Sequence, residues 1–241
     1  MSIYNSLNAW TGLGLPHEIW AAALATGLLI AMGYAMRGQL AAANGGVLPD
    51  EGVTLRNIVE LIVEQLVNLA KDTMGDEYRT WFPICASIFF FVLISNIMGL
   101  VPGLGGSTSN VNVTMAWGII SFIAYNAAGI RKHGVWYINQ FLGPSFFEFE
   151  MFGRHWHARV MAPVFLILEV PLHFARIITL GVRLLANMFA DHMVVVVWIG
   201  LVPAFVPAIF MGLGLMVAVL QAFVFSLLTM IYIGLALEEA H

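Results

Sequence analysis

Charge is scarce in these 241 residues: 10% are Asp, Glu, Lys or Arg, against roughly 25% in a typical soluble domain. Hydrophobic residues make up 60%, and the mean hydropathy is +0.87. So few polar side chains could not cover a soluble globule. Soluble enzymes, nucleic-acid binders and secreted disulfide scaffolds are therefore excluded, and lipid is the expected solvent. Cys85 is the single cysteine, which excludes an internal disulfide and a cysteine metal cage. The sequence has no Gly-x-x-x-x-Gly-Lys-Ser/Thr loop, so it does not bind nucleotide in that way. The first 18 residues have no Lys or Arg, so a cleavable signal peptide is not expected and the first span is read as retained. Solenoid repeats, low-complexity tracts and loops long enough to form a soluble domain are also missing.

What is present is a set of apolar runs. Five stretches read as membrane spans: 19–36, 82–101, 111–128, 160–193 and 208–237. The last holds 30 residues without a charge. Arg37, Arg56, Lys71 and Arg79 fall between spans one and two, and Arg131, Lys132, Arg154 and Arg159 between spans three and four. The intervening connections on the other side have no basic residue. The positive-inside rule then puts the N-terminus outside and the C-terminus in the cytoplasm. The stretch 54–72 differs. Asn57, Glu60, Glu64, Asn68 and Lys71 recur at helical spacing among Leu, Ile and Val, which predicts an amphipathic helix at the interface. It serves as an anchor or as a docking surface for another subunit. At about 1.5 Å per residue, 30 residues exceed a hydrocarbon core of about 30 Å, so the last two spans should tilt strongly and pack on each other or on a partner. Gly200, Pro203 and Pro207 suit a turn between them. The chain is read as one all-α integral membrane domain, 1–241, with about five spans and one interfacial helix.

Span four carries the residues that need explaining: Glu169, His173, Arg176, Arg183, Asn187, Asp191 and His192. At about 100° per residue, all but His192 fall within an arc of about 80°. His192 lies on the opposite side. Charge at this depth is costly, about 2.5–3.5 kcal/mol for a central arginine on insertion scales. Glu169 is spaced to pair with His173 or Arg176, and an internal salt bridge is the bland explanation there. Arg183 has no such partner on its own helix within a turn, and its guanidinium stays protonated. Water, or an anion supplied by a partner, must meet it. Span five presents Gln221, Thr229 and Tyr232 on one arc, with Gly214 on the same face. Core packing suffices for Thr229 and Tyr232, whereas the Gln221 amide needs a partner in lipid.

These residues have a known pattern. Gly181-Val182-Arg183-Leu184-Leu185-Ala186-Asn187-Met188-Phe189-Ala190-Asp191-His192 resembles the central signature of subunit a of the F-type ATP synthase. Asn96-Ile97-Met98-Gly99-Leu100-Val101-Pro102, Asn110-Val111-Asn112-Val113-Thr114 and Leu220-Gln221-Ala222-Phe223 resemble three further motifs of that family, in the same order. The resemblance implies a non-catalytic, proton-translocating stator subunit. It would face a ring of c subunits, work with peripheral-stalk b subunits and the remaining synthase subunits, and provide two offset aqueous half-channels. By position, Arg183 matches the essential arginine, Gln221 the last-helix glutamine, Asn187 and His192 polar positions on the outward side, and Glu169 and Arg176 positions toward the cytoplasm. His173 and Asp191, from the same stripe, complete the expected proton-translocation set. No cofactor, metal or nucleic acid is implied. The expected location is a bacterial inner membrane, or an organellar energy-coupling membrane.

One departure from the family matters. Seven residues before the glutamine the family often has Glu or His; here that position is Gly214. The expectation is that water fills the space, with His192 and Asp191 as the titratable groups. The phase of His192 then requires a bend, or a side chain facing span five. Two other classes compete. A secondary transporter would use the intramembrane Arg and Glu to bind an anion, but such folds carry repeats or broken helices that are not evident here. A metal site at His155-Trp156-His157, or at His173 and His192, lacks any His-Glu-x-x-His helix; basic and aromatic residues at an interface account for the first cluster.

Overall fold

The computed structural model describes residues 16–42, 54–101, 106–134, 137, 148–151, 154–157, 162–202 and 205–238. Its helices are α1 (His17–Ala42), α2 (Leu55–Met74), α3 (Tyr78–Leu100), α4 (Val111–His133), α5 (Ala162–Leu201) and α6 (Val206–Leu237). Among the described residues, five stretches of helix are long and apolar enough to cross a membrane. The protein is an all-α membrane protein, with one small hairpin outside the helices.

Local chemistry sets the helix ends. The Thr54 side chain caps α2, accepting from the Asn57 amide at 3.3 Å, and Gly75 at φ +58° breaks α2 from the short 3-10 turn that leads into α3. Asn110 caps α4, accepting from the Asn112 amide at 2.8 Å. Arg131, Lys132 and His133 fill the last turn of α4, where cations oppose the negative end of the helix dipole. That turn and Arg79 mark one end of the bundle, called here the basic end.

Helices α1, α3, α4, α5 and α6 alternate in direction. Ser226 of α6 donates to the Cys85 carbonyl of α3 at 3.0 Å, and Ser121 of α4 bonds Thr229 of α6 at 2.9 Å. The core lies where these three helices meet, around Ile88, Val92, Tyr125, Phe225, Met230 and Ile233. Helix α5 packs on α4 and α6. Small residues permit close approach, as is usual between membrane helices. At Gly118 of α4 an added Cβ would lie 2.8 Å from the Ile177 carbonyl oxygen of α5. At the far end, Ser107 donates to Ser95 and Thr108 to Asn96, both at 2.9 Å and both buried. The Asn110 amide donates to Glu18 of α1 at 2.8 Å. The motif residues Asn96 and Asn110 thus pin the α3–α4 connection. Helix α2 buries Leu66, Ala70 and Met74 and leaves Glu64, Asn68 and Lys71 exposed. It packs on α3 and on the basic end of α6, where Gly234 abuts the Thr73 carbonyl.

Three features differ from the sequence reading. Helix α5 runs on to Leu201, beyond residue 193, because Val194–Leu201 has no breaker before Gly200 and stays apolar; at 40 residues it is about 60 Å long. The turn before α6 is correspondingly short, with Pro207 in the first turn of α6. Helix α4 continues to His133 rather than stopping at 128, since its basic residues favour a helix C-terminus. An antiparallel hairpin of β1 (Glu148–Met151) and β2 (Arg154–His157), with Glu148 opposite His157, was not foreseen; four-residue strands give too short an alternation to stand out.

Gly118→Ala should destabilise the α4–α5 contact by about 1–3 kcal/mol, since the obstructing atom is backbone. Gly27→Ala, where nothing lies within 4 Å, should be neutral or stabilising. Thermal unfolding of the purified protein in detergent compares the two.

Candidate functional site

The polar residues of α5 do not share one environment. Arg183 lies on the exposed side of the helix, among exposed Thr179, Val182, Ala186, Phe189 and Ala190. Ion pairs among the described residues join His17 to Glu18 at 3.4 Å and Arg56 to Glu60 at 3.5 Å. Arg183 takes part in neither, and among the described residues it has no hydrogen-bond partner. On α6, exposed Leu213, Met216, Leu220 and Phe223 extend the same kind of apolar surface.

One turn beyond Arg183, Asn187 reaches inward. Its amide donates to the Gln221 side-chain carbonyl of α6 at 2.7 Å. Gln221 is only 5% exposed, so this bond supplies the partner that its amide needs in lipid. The Gln221 nitrogen is buried without a partner among the described residues, which leaves a donor for water.

A further turn toward the far end, Asp191 is half-buried beside Gly214. A Cβ at Gly214 would lie 2.6 Å from the Leu100 side chain and 3.7 Å from the Asp191 carboxyl carbon. The space was expected to hold water; instead Leu100 of α3 and Asp191 fill it. A cavity of about 30 Å³ opens next to them, lined by Gly99, Leu100, Met188, Asp191 and His192. That volume has room for a water or two. His192 is exposed and borders the same cavity as Asp191, despite its different helical phase.

Toward the basic end the stripe turns to aromatic partners. The Arg176 guanidinium sits 4.9 Å from the ring centre of Tyr232 on α6 and 5.9 Å from that of Tyr125 on α4. The His173 ring is 5.8 Å from Tyr125. Arg176 is thus held by cation–π contacts. The side chain of Glu169 lies outside the described residues. Thr229, bonded to Ser121 and to the Phe225 carbonyl at 2.9 Å each, belongs to the packed core, whereas Tyr232 borders the polar stripe. Sequence reasoning missed Tyr125. It is 2% exposed, and the signal was a phenol in the middle of an apolar span.

The sequence profile of the ATP synthase A chain family matches residues 19–234. The chain belongs to this family. It is similar to ATP synthase subunit a of Bdellovibrio bacteriovorus, 36% identical over 96% of this chain and 98% of the relative. It is also similar to ATP synthase subunit a 1 of Pelobacter propionicus, 41% identical over 78% of this chain and 76% of the relative. ATP synthase subunit a of Geotalea daltonii is 39% identical over the same shares. The family's members are membrane subunits, in keeping with the apolar helices found here.

The Asn187–Gln221 bond can be tested on its own. Gln221→Leu leaves the Asn187 amide without its acceptor and should cost about 1–3 kcal/mol. Adding Asn187→Leu should return part of that loss. Thermal unfolding of the two single variants and the double variant measures the coupling.

Proposed function

We propose that this chain is the proton-translocating stator subunit of a rotary ATP synthase in a bacterial inner membrane, with Arg183 facing a ring of c subunits. The observation that carries the reading is a permanent guanidinium on an apolar exterior, with no partner among the described residues. In lipid such a cation requires an anion from outside the chain. A ring of acids passing in turn meets that need.

The mechanism follows from solvation. A carboxyl in lipid is held protonated, because desolvation penalises its charged form. Close to Arg183 the charged form is favoured and the proton leaves. Past Arg183 the acid takes up a proton again, from the other side of the membrane. The stationary cation also opposes a proton crossing directly, so ion flow is tied to rotation. Asp191 and His192, at the cavity by Gly214, serve access from the outward side. Glu169, His173 and Arg176 line access from the cytoplasm. Asn187 and Gln221 hold the α5–α6 contact between the two. The membrane potential supplies about 2.3 kcal/mol per charge per 100 mV, so many steps are accumulated for each ATP, and the nucleotide chemistry belongs to other subunits. A peripheral stalk of b subunits keeps the stator from turning with the ring. The N-terminus is outside and the C-terminus cytoplasmic.

Arg183→Ala in an assembled complex should abolish ATP synthesis driven by a proton gradient. Arg183→Lys should also be severely impaired, since an ammonium is more strongly hydrated and more easily deprotonated. ATP synthesis by membrane vesicles, with assembly checked by co-purification of the ring, reads both. Normal synthesis by assembled Arg183→Ala would overturn the assignment.

A further inference from the structure

Arg176 stands seven residues before Arg183 on the same helix, about 10 Å along its axis and about 20° from it in helical phase, but it is turned toward the packed helices rather than outward. No carboxylate neutralises it among the described residues. Three helices build its setting. Tyr232 of α6 offers its ring face at 4.9 Å and Tyr125 of α4 at 5.9 Å, and the two rings are 5.9 Å apart. Aromatic faces hold a cation without cancelling its charge. The Tyr125 hydroxyl is buried, and its ring lies beside the guanidinium. From the helices packed around it, the ionisable groups facing Arg176 are Tyr125 and Tyr232. Helix α5 adds His173, with Glu169 two turns earlier. Helix α3 meets α5 at the opposite end, at Gly99 and Met188.

The geometry points to Arg176 as a second stationary cation, a positioning residue that sets how readily protons occupy the cytoplasmic side of the route. This inference rests on the stator reading above. A fixed positive charge makes proton occupancy nearby less favourable. With it in place, a proton released near Arg183 is driven on toward the cytoplasm, and uptake from the cytoplasm requires a higher proton activity. Tyr125 and Tyr232 fix the place of the charge.

The test is ATP-driven proton pumping by the whole complex in inverted vesicles, where protons are taken up from the cytoplasmic face. Pumping per ATP hydrolysed is measured against external pH, and ATP synthesis is measured against lumenal pH. Arg176→Gln should shift the cytoplasmic profile to higher pH by about one unit, a tenfold change in proton activity, and leave the lumenal profile in place. Tyr232→Phe keeps the ring and should show no shift. Tyr232→Leu should shift the cytoplasmic profile in the same direction by less. An assembled Arg176→Gln complex with an unshifted cytoplasmic profile, or with equal shifts on both sides, overturns the proposal. If Arg176→Gln does not assemble, Tyr232→Leu decides by the same measurement: a shift supports the proposal and its absence overturns it. A complex with the natural sequence that hydrolyses ATP without pumping protons would instead overturn the stator reading.

Discussion

A charged side chain at membrane depth must be answered by something, and the arrangement of α5 and α6 follows from how each charge or amide is answered. Asn187 is met by Gln221 across the helix pair. Arg176 is met by two phenol rings. Asp191 is set beside a glycine and a small cavity. Arg183 is met by nothing in the described part of the chain. Arg183 and Asp191 stand at opposite edges of one arc, with Asn187 between them. The structure therefore turns one edge of that arc outward and the other inward, and the exposed edge is where a partner has to supply the negative charge.

The remainder of the fold keeps this edge in place. Hydrogen bonds between α3, α4 and α6 through Ser226, Ser121 and Thr229 tie the core at the level of the aromatic pair. The buried Ser95–Ser107 and Asn96–Thr108 bonds fix the far end, close to where Gly99 and Leu100 line the Asp191 cavity. Buried hydrogen bonds of this kind contribute about 1 kcal/mol each. Their greater effect is on precision, since Leu100 and Asp191 share the room that Gly214 leaves. A side chain at 214 would have to displace one of them. Here the carboxylate beside that position comes from α5 rather than α6.

The helical character of the chain, its polar stripe and the need of Gln221 for a partner were legible in the sequence. Each rests on spacing or on the cost of polarity in lipid, and both are properties of a single segment. What the sequence did not disclose depends on neighbours. An arc of about 80° says that six residues lie close in phase; it does not say that they divide among an outer surface, a helix pair and an aromatic setting. Tyr125 was missed because its role is visible only once α4 lies against α5. The content of the Gly214 space was misread because Leu100, more than a hundred residues earlier, supplies it. The end of α5 was set too early because Val194–Leu201 carries no capping residue to mark a boundary.

The most direct test of the outward-facing arginine is cross-linking beside it. Ala186 is exposed on α5 three residues from Arg183. With Cys85→Ser as background, Ala186→Cys in the assembled complex should form a disulfide with a cysteine placed next to the acid of the ring subunit, and oxidation should stop ATP-driven proton pumping until the bond is reduced. An assembled complex in which Ala186→Cys never couples to the ring under oxidation, while pumping continues, would contradict the account.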